Sequence, residues 1–479
     1  MSSKDIKKRI VKGTIWNTIE KIAVKSSSFV ISIILARILS PKDYGLIGML
    51  TVFVALSTIF IESGFAKALI QKQNRTQEDY STIFYFNLGI AIILYVFLFV
   101  SSPFIAHFYN TPILSPILRT LSINIIIGSI NIVQRAQLMI AMDFKSLAKI
   151  NLYGTIIGGI LGIIAAIANY GVWALVIQTI ASTFTMSLLF FHFTHWKPSL
   201  LFSTKSFKDL FHFGSKLLTA SAIVTIFNNI STIAIGKLYK SEQLGIFTRA
   251  SQFTEMIAWT INDVLGTVTF PILSELQNNK DELLKVYKKS LFYTSLITFP
   301  AMILLALVAK PLVIVLLTEK WLPCVVLIQI LCFARMLTPL SSINMNLLNA
   351  IGRSDLFMKV DLSKLPLELI ILIITIPLGI KAVVIGNLVS SIICFFINTY
   401  YPQKYCGYGA IKQIKDTIPI FIALLIMYSG GYFIMYLFDN SVLQLASGTI
   451  SSIILYIISC QILKIINLKN ILSEISKRF

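Results

Sequence analysis

Apolar runs long enough to cross a bilayer follow one another from end to end of this chain. At about 20 residues per crossing of a ~30 Å hydrocarbon core, they predict fourteen helices. These lie near 13–38, 44–62, 81–105, 115–141, 148–168, 172–193, 214–236, 244–270, 289–309, 323–349, 357–377, 382–401, 416–437 and 443–463. Helices are the expected element because lipid offers backbone groups no partner. The short alternating segments of a membrane β-barrel do not occur. No stretch between helices is long enough for a soluble domain. The longest loops fall near 194–213 and 271–288, and the latter (SELQNNKDELLKVYKKS) reads as a short charged amphipathic helix on the membrane surface.

Composition agrees with this pattern. Of 479 residues, 56% are hydrophobic and 13% charged, with mean hydropathy +0.81, which excludes an ordinary soluble protein. The net charge of +20 raises the question of a nucleic-acid partner. Sorting the 41 Lys and Arg answers it: 28 fall in the termini and even-numbered loops with their adjoining helix ends, seven in the odd-numbered loops, and six inside helices. That bias is the positive-inside pattern and places both termini in the cytoplasm. It accounts for the charge without nucleic acid. The basic start (Lys4, Lys7, Lys8, Arg9, Lys12) runs into a full-length span, so a retained first helix is expected rather than a cleaved signal peptide. Five cysteines show no CxxC spacing, and His107, His192, His195 and His212 form no metal pattern. No metal or organic cofactor is expected.

An internal repeat is visible. ARILSPKDYG at 36–45 aligns with GKLYKSEQLG at 236–245, and YGVWALV at 170–176 with LGIKAVV at 378–384. Helices one to six therefore match seven to twelve. Six is even, so both halves enter the membrane from one side as parallel repeats. The expected organisation is a lobe at 1–200, a second at 201–405, and helices thirteen and fourteen with a tail at 406–479.

Charge at membrane depth is costly and marks cavities or partners. In helix one, Asn17, Lys21, Lys25, Ser28 and Ser32 share a face, with Glu20 beside it. Shifted by 200, helix seven carries Ser221, Thr225, Asn228 and Thr232. Helix eight places Arg249, Gln252, Glu255, Trp259, Asn262 and Asp263 on one face. Helix ten carries Arg335, Thr338, Ser342, Asn346 and Asn349, and helix four Asn124, Asn131 and Arg135. Lys364 with Glu368 reads as a structural pair, and Arg119 as a helix-end residue that snorkels. Two lysines one turn apart repel each other and need water, acids or an anionic ligand nearby. Embedded cations exceed the embedded acids, which suits a cavity for an anion.

The stretch Leu35–Ile90 resembles the N-terminal signature of the Wzx-type polysaccharide flippases, in the colanic-acid-exporter-like branch. The carriers are LARILSPKDYG at Leu35–Gly45, GFAKALIQ at Gly64–Gln71 and TQEDYST at Thr76–Thr82. The resemblance implies an all-α membrane protein of about fourteen helices, with two V-shaped six-helix lobes, two further helices and a central cationic cavity. It implies a lipid-linked oligosaccharide on undecaprenyl diphosphate as cargo, moved across the bacterial inner membrane for O-antigen, capsule or exopolysaccharide assembly. Membrane lipid and other polysaccharide-assembly proteins are the expected partners. The candidate cavity residues are Lys21, Lys25, Arg135, Asn228, Arg249, Gln252, Trp259, Asn262 and Arg335. Glu20, Glu255 and Asp263 are candidates for coupling to a proton or Na⁺. Two alternatives stay open: a drug or cation exporter of the same superfamily, and a membrane glycan polymerase or ligase, which the short outside loops disfavour.

Overall fold

The computed structural model describes residues 3–62, 69–70, 72–204, 221 and 224–465. Among these the chain is helical, without strands. The α-helices are α1 (Ser3–Ile38), α2 (Pro41–Glu62), α3 (Gln77–Phe108), α4 (Leu114–Ile130), α5 (Ile132–Ile140), α6 (Phe144–Ile167), α7 (Trp173–Thr194) and α8 (Ile230–Leu238). They continue as α9 (Ser241–Glu275), α10 (Lys280–Leu317), α11 (Cys324–Arg335), α12 (Thr338–Ala350), α13 (Ser354–Thr375), α14 (Ile380–Cys406), α15 (Ala410–Tyr436) and α16 (Ser441–Ile462). Most of Gly64–Gln71, the first part of expected helix seven and the side chain of Asn17 lie outside the described residues.

Eleven helical stretches among the described residues are long and apolar enough to span a membrane. The other three expected spans have identifiable reasons. Helix one is present as α1 but carries Glu20, Lys21 and Lys25 in its middle. Helix eleven is present as α13 but carries Lys359, Asp361, Lys364 and Glu368. Helix seven is only partly described. Two spans are interrupted midway. Between α4 and α5, the Asn131 N–H bonds Gly128 O, three residues back. Between α11 and α12, Pro339 sits in the first turn of α12 and has no N–H for the Arg335 carbonyl four residues earlier.

One loop expectation needs correcting, and one side-chain pairing needs refining. The segment 271–288 forms no separate surface helix. α9 runs through it to Glu275, and α10 starts at Lys280, where the Asn279 side chain accepts from the Glu282 N–H. The N-cap and acidic first turn start a helix that simply continues inward. Lys364 bonds Asp361 at 2.6 Å, one turn back, and Glu368 accepts from the Cys394 thiol at 3.8 Å while staying within the electrostatic reach of Lys364.

The described residues separate into two compact units, Met1–Gly245 and Ile246–Phe479. In the first, α6 is packed by both α1 and α7. Gly154, Gly158 and Gly162 give α6 a stripe without side chains. A Cβ on Gly158 would lie 2.7 Å from the Gln178 carbonyl oxygen, so the α6 and α7 backbones approach as closely as small-residue packing in lipid allows. Gly159 faces Ile31 of α1. The matched turns at 36–45 and 236–245 meet reciprocally: a Cβ on Gly45 would collide with the Ser241 carbonyl, and one on Gly245 with the Pro41 carbonyl.

The TQEDYST segment is structural. Thr76 and Asp79 form a reciprocal capping box at the start of α3. Asp79 is buried and bridged by Lys72 at 2.7 Å. Ser81 and Thr82 bond the extended stretch after α7 through Ser199 (hydroxyl to hydroxyl, 2.8 Å) and the Ser203 N–H (3.0 Å). Trp196 donates to Gln77 Oε1 at 2.8 Å and packs on Phe84. Arg119 donates to Ser102 Oγ at 2.8 Å and lies over Phe99, joining α3 to α4.

The second unit is organised on α10, which packs against α11, α15 and α16. Its polar centre is a network of Tyr287, Asn344 and Gln413, all buried. Tyr287 donates to Asn344 Oδ1, and the Gln413 amide donates to that same oxygen at 2.9 Å. Buried as they are, each of these groups needs the others.

Candidate functional site

In the first unit, Lys21 and Lys25 stand on an exposed part of α1, away from the buried Ile31 and Leu35. Beside them, Glu20 accepts from the Asn151 amide of α6 at 2.5 Å. Asn151 also lines a cavity of about 230 Å³ with Thr58, Asn124, Asn131, Arg135 and Thr183. The helix-four stripe thus comes together on one hollow at the break between α4 and α5, whose walls also carry Ile125, Ile132, Met186 and Phe190. The side-chain oxygens of Asn124 and Asn131 are buried there without a hydrogen-bond partner. Asn228 is exposed ahead of α8.

In the second unit the charges are held differently. Arg335 donates to Glu255 Oε1 at 2.6 Å, with both side chains about one third exposed. Arg249 was expected on a cavity face but is only 3% exposed. Its Nη1 donates to Gln252 Oε1 at 2.6 Å, and its guanidinium lies 5.6 Å from the centre of the buried Trp321 ring. Arginine's flat, weakly hydrated head suits such a place. Gln252, Trp259 and Asp263 are exposed and Asn262 is half-buried. Thr338, Ser342, Asn346 and Asn349 are all half-buried, so the helix-ten stripe keeps a continuous partly open edge below Arg335.

Sequence reading missed Asn151, Thr58 and Thr183 in the first unit and the Tyr287, Asn344 and Gln413 network in the second. Each is a single polar residue on its helix face and gives no periodic signal. Among the described residues no three His, Cys, Asp or Glu converge as metal ligands would.

Long apolar helices with a few charges held at membrane depth define a multi-pass, all-helical membrane protein, and the fold is one already seen in transporters. It matches the lipid II flippase MurJ in an inward closed conformation with TM-score 0.72 at 17% identity, over 94% of this chain and 98% of that one. It matches an inward-facing multidrug resistance MATE family transporter of the MOP superfamily with TM-score 0.62 at 17% identity, over 80% and 96%. Within that fold class the match narrows: the family described as polysaccharide biosynthesis protein matches residues 34–326, and the chain belongs to that family. Relatives include the teichuronic acid biosynthesis protein TuaB of Bacillus subtilis (strain 168), 27% identical over 353 residues, 73% of either chain. The lipopolysaccharide biosynthesis protein WzxC of Escherichia coli (strain K12) is 25% identical over 401 residues, 82% of this chain and 80% of that one.

Proposed function

We propose that this protein is a flippase for lipid-linked oligosaccharide repeat units, working by alternating access in the bacterial inner membrane with both termini in the cytoplasm. The observation that carries this reading is the exposed lysine pair of α1, one turn apart on a helix at membrane depth. Such a pair is stabilised by an anion that bridges it, and a diphosphate is an anion that cannot cross hydrocarbon unaided. Family membership and the polysaccharide-assembly names of its relatives support the cargo class.

In this reading Lys21, Lys25 and Arg135 take diphosphate oxygens, lysine as a mobile point charge and arginine as a fork. Asn228, Gln252, Trp259 and Asn262 offer hydrogen bonds and an aromatic face to sugars. Arg335 is released to an anion when Glu255 is neutralised. Glu255 and Asp263, with Glu20 in the first unit, couple the step to a proton or Na⁺. The protein carries its cargo and breaks no bond in it. A cationic drug fits the exposed lysines poorly.

The test is deletion and complementation in the source bacterium. The expected result is loss of surface polysaccharide with lipid-linked repeat units retained inside, both reversed by the intact gene. Unchanged polysaccharide together with altered drug resistance would overturn the reading and favour the exporter.

A further inference from the structure

α13 and α14 leave a groove of about 420 Å³ between them, lined by Lys359, Val360 and Ser363 on α13 and Ile393, Phe396, Ile397, Tyr400 and Tyr401 on α14. Its floor is firm, because Val360, Ile397 and Tyr401 pack into a core cluster with Met345, Leu348 and Leu356. Its chemistry is two-ended. The Ser363 hydroxyl is turned back onto the Val360 carbonyl at 2.7 Å, so the stretch along Ile393 and Phe396 is apolar in effect. The other end, near the start of α13 and the end of α14, holds the exposed Lys359 ammonium and the two tyrosines.

The acids nearest Lys359 in the sequence are already engaged. Asp355 is held by Arg353 at 2.8 Å, and that bond keeps its carboxyl well below the usual range, at about 2. Asp361 is held by Lys364 at 2.6 Å. Arg353 in turn donates to the Tyr405 hydroxyl at 2.6 Å. The groove end therefore presents a cation and phenol donors beside an apolar channel, and the neighbouring carboxylates do not cancel it. By the charge bias of the loops this end faces the cytoplasm, whose leaflet carries the anionic lipids.

We infer that this groove is a binding site for one anionic phospholipid of the cytoplasmic leaflet. Its acyl chain lies along Val360, Ile393, Phe396 and Ile397, and its phosphate takes Lys359. The site is separate from the residues assigned to cargo, so it stands or falls independently of them.

The experiment is native mass spectrometry of the purified full chain released from membranes containing phosphatidylglycerol and phosphatidylethanolamine. The wild type should retain one phosphatidylglycerol in preference to phosphatidylethanolamine. Lys359→Gln should lower that preference about fivefold, the equivalent of one lysine–phosphate attraction near a membrane surface. Ile393→Trp, which fills the channel, should lower retention of both lipids. Size-exclusion profile and melting temperature check folding, and if the tryptophan variant fails there, Lys359→Gln alone decides. Equal retention of the two lipids by the wild type, or an unchanged preference in Lys359→Gln, would overturn the assignment. So would displacement of the bound lipid by equimolar undecaprenyl phosphate, which would give the groove to the carrier's tail.

Discussion

The two units treat charge at membrane depth in opposite ways. In Met1–Gly245, Lys21, Lys25 and Arg135 are exposed, and amides with unmet hydrogen-bonding capacity lie near Arg135. In Ile246–Phe479, Arg335 is neutralised by Glu255, and Arg249 is buried against Gln252 and Trp321. An exposed cation is open to an anion arriving from outside, whereas Arg335 must first lose Glu255. The first arrangement suits binding and the second suits a switch.

The largest effect that would break this comparison is in the first unit. Lys21→Ala with Lys25→Ala should lower flipping about a hundredfold, from two charge-assisted contacts at roughly 1.5 kcal/mol each, with membrane insertion unchanged on immunoblots. Next comes the pair in the second unit. Glu255→Gln should lower transport about tenfold, less than a fully buried pair would give because both side chains are partly exposed, and should flatten its ion dependence. The exchange of Glu255→Arg with Arg335→Glu should recover part of that loss, and a double-mutant cycle on transport rate measures the coupling. Equal losses from the exposed lysines of α1 and from the arginine paired with Glu255 would erase the distinction between the units.

Structural polar groups should act on stability alone. Tyr287→Phe leaves Asn344 and Gln413 short of a partner and should cost roughly 1–3 kcal/mol, read as a lower melting temperature with transport intact at permissive temperature. Thr76→Ala removes half a capping box and should cost about 1 kcal/mol, the smallest change, with transport again intact.

Much of the fold was legible because a span is a run of apolar residues, a signal weakened in α1 and α13 by their embedded charges. The interruption at Met336–Leu337 had a visible signal in Pro339. The one at Asn131 had only Gly128 nearby, and glycine within a helix does not announce a break. Stripes on a single helix were legible from 100° periodicity, so Lys21 with Lys25 and Asn124 with Arg135 could be grouped in advance. Pairings across helices were not. Arg335 finds Glu255 from 80 positions away, and Tyr287 finds Asn344 across 57, through packing that no local pattern encodes. Arg249 shows the limit of a stripe: sharing an arc with Gln252 and Glu255 did not keep it exposed, because Trp321 covers it. Lys364 shows a second limit, since both Asp361 and Glu368 lay within reach and only the structure selects the former.

The central claim is that the exposed lysines of α1 carry the anionic end of the cargo. It is tested most directly by reconstituting the full chain in liposomes with a lipid-linked repeat unit and following its arrival in the opposite leaflet. The wild type and a Lys21→Arg, Lys25→Arg variant should flip it at similar rates, whereas Lys21→Ala with Lys25→Ala should flip it about a hundredfold more slowly. Flipping by the alanine variant at the wild-type rate, with equal protein incorporated, would contradict the account.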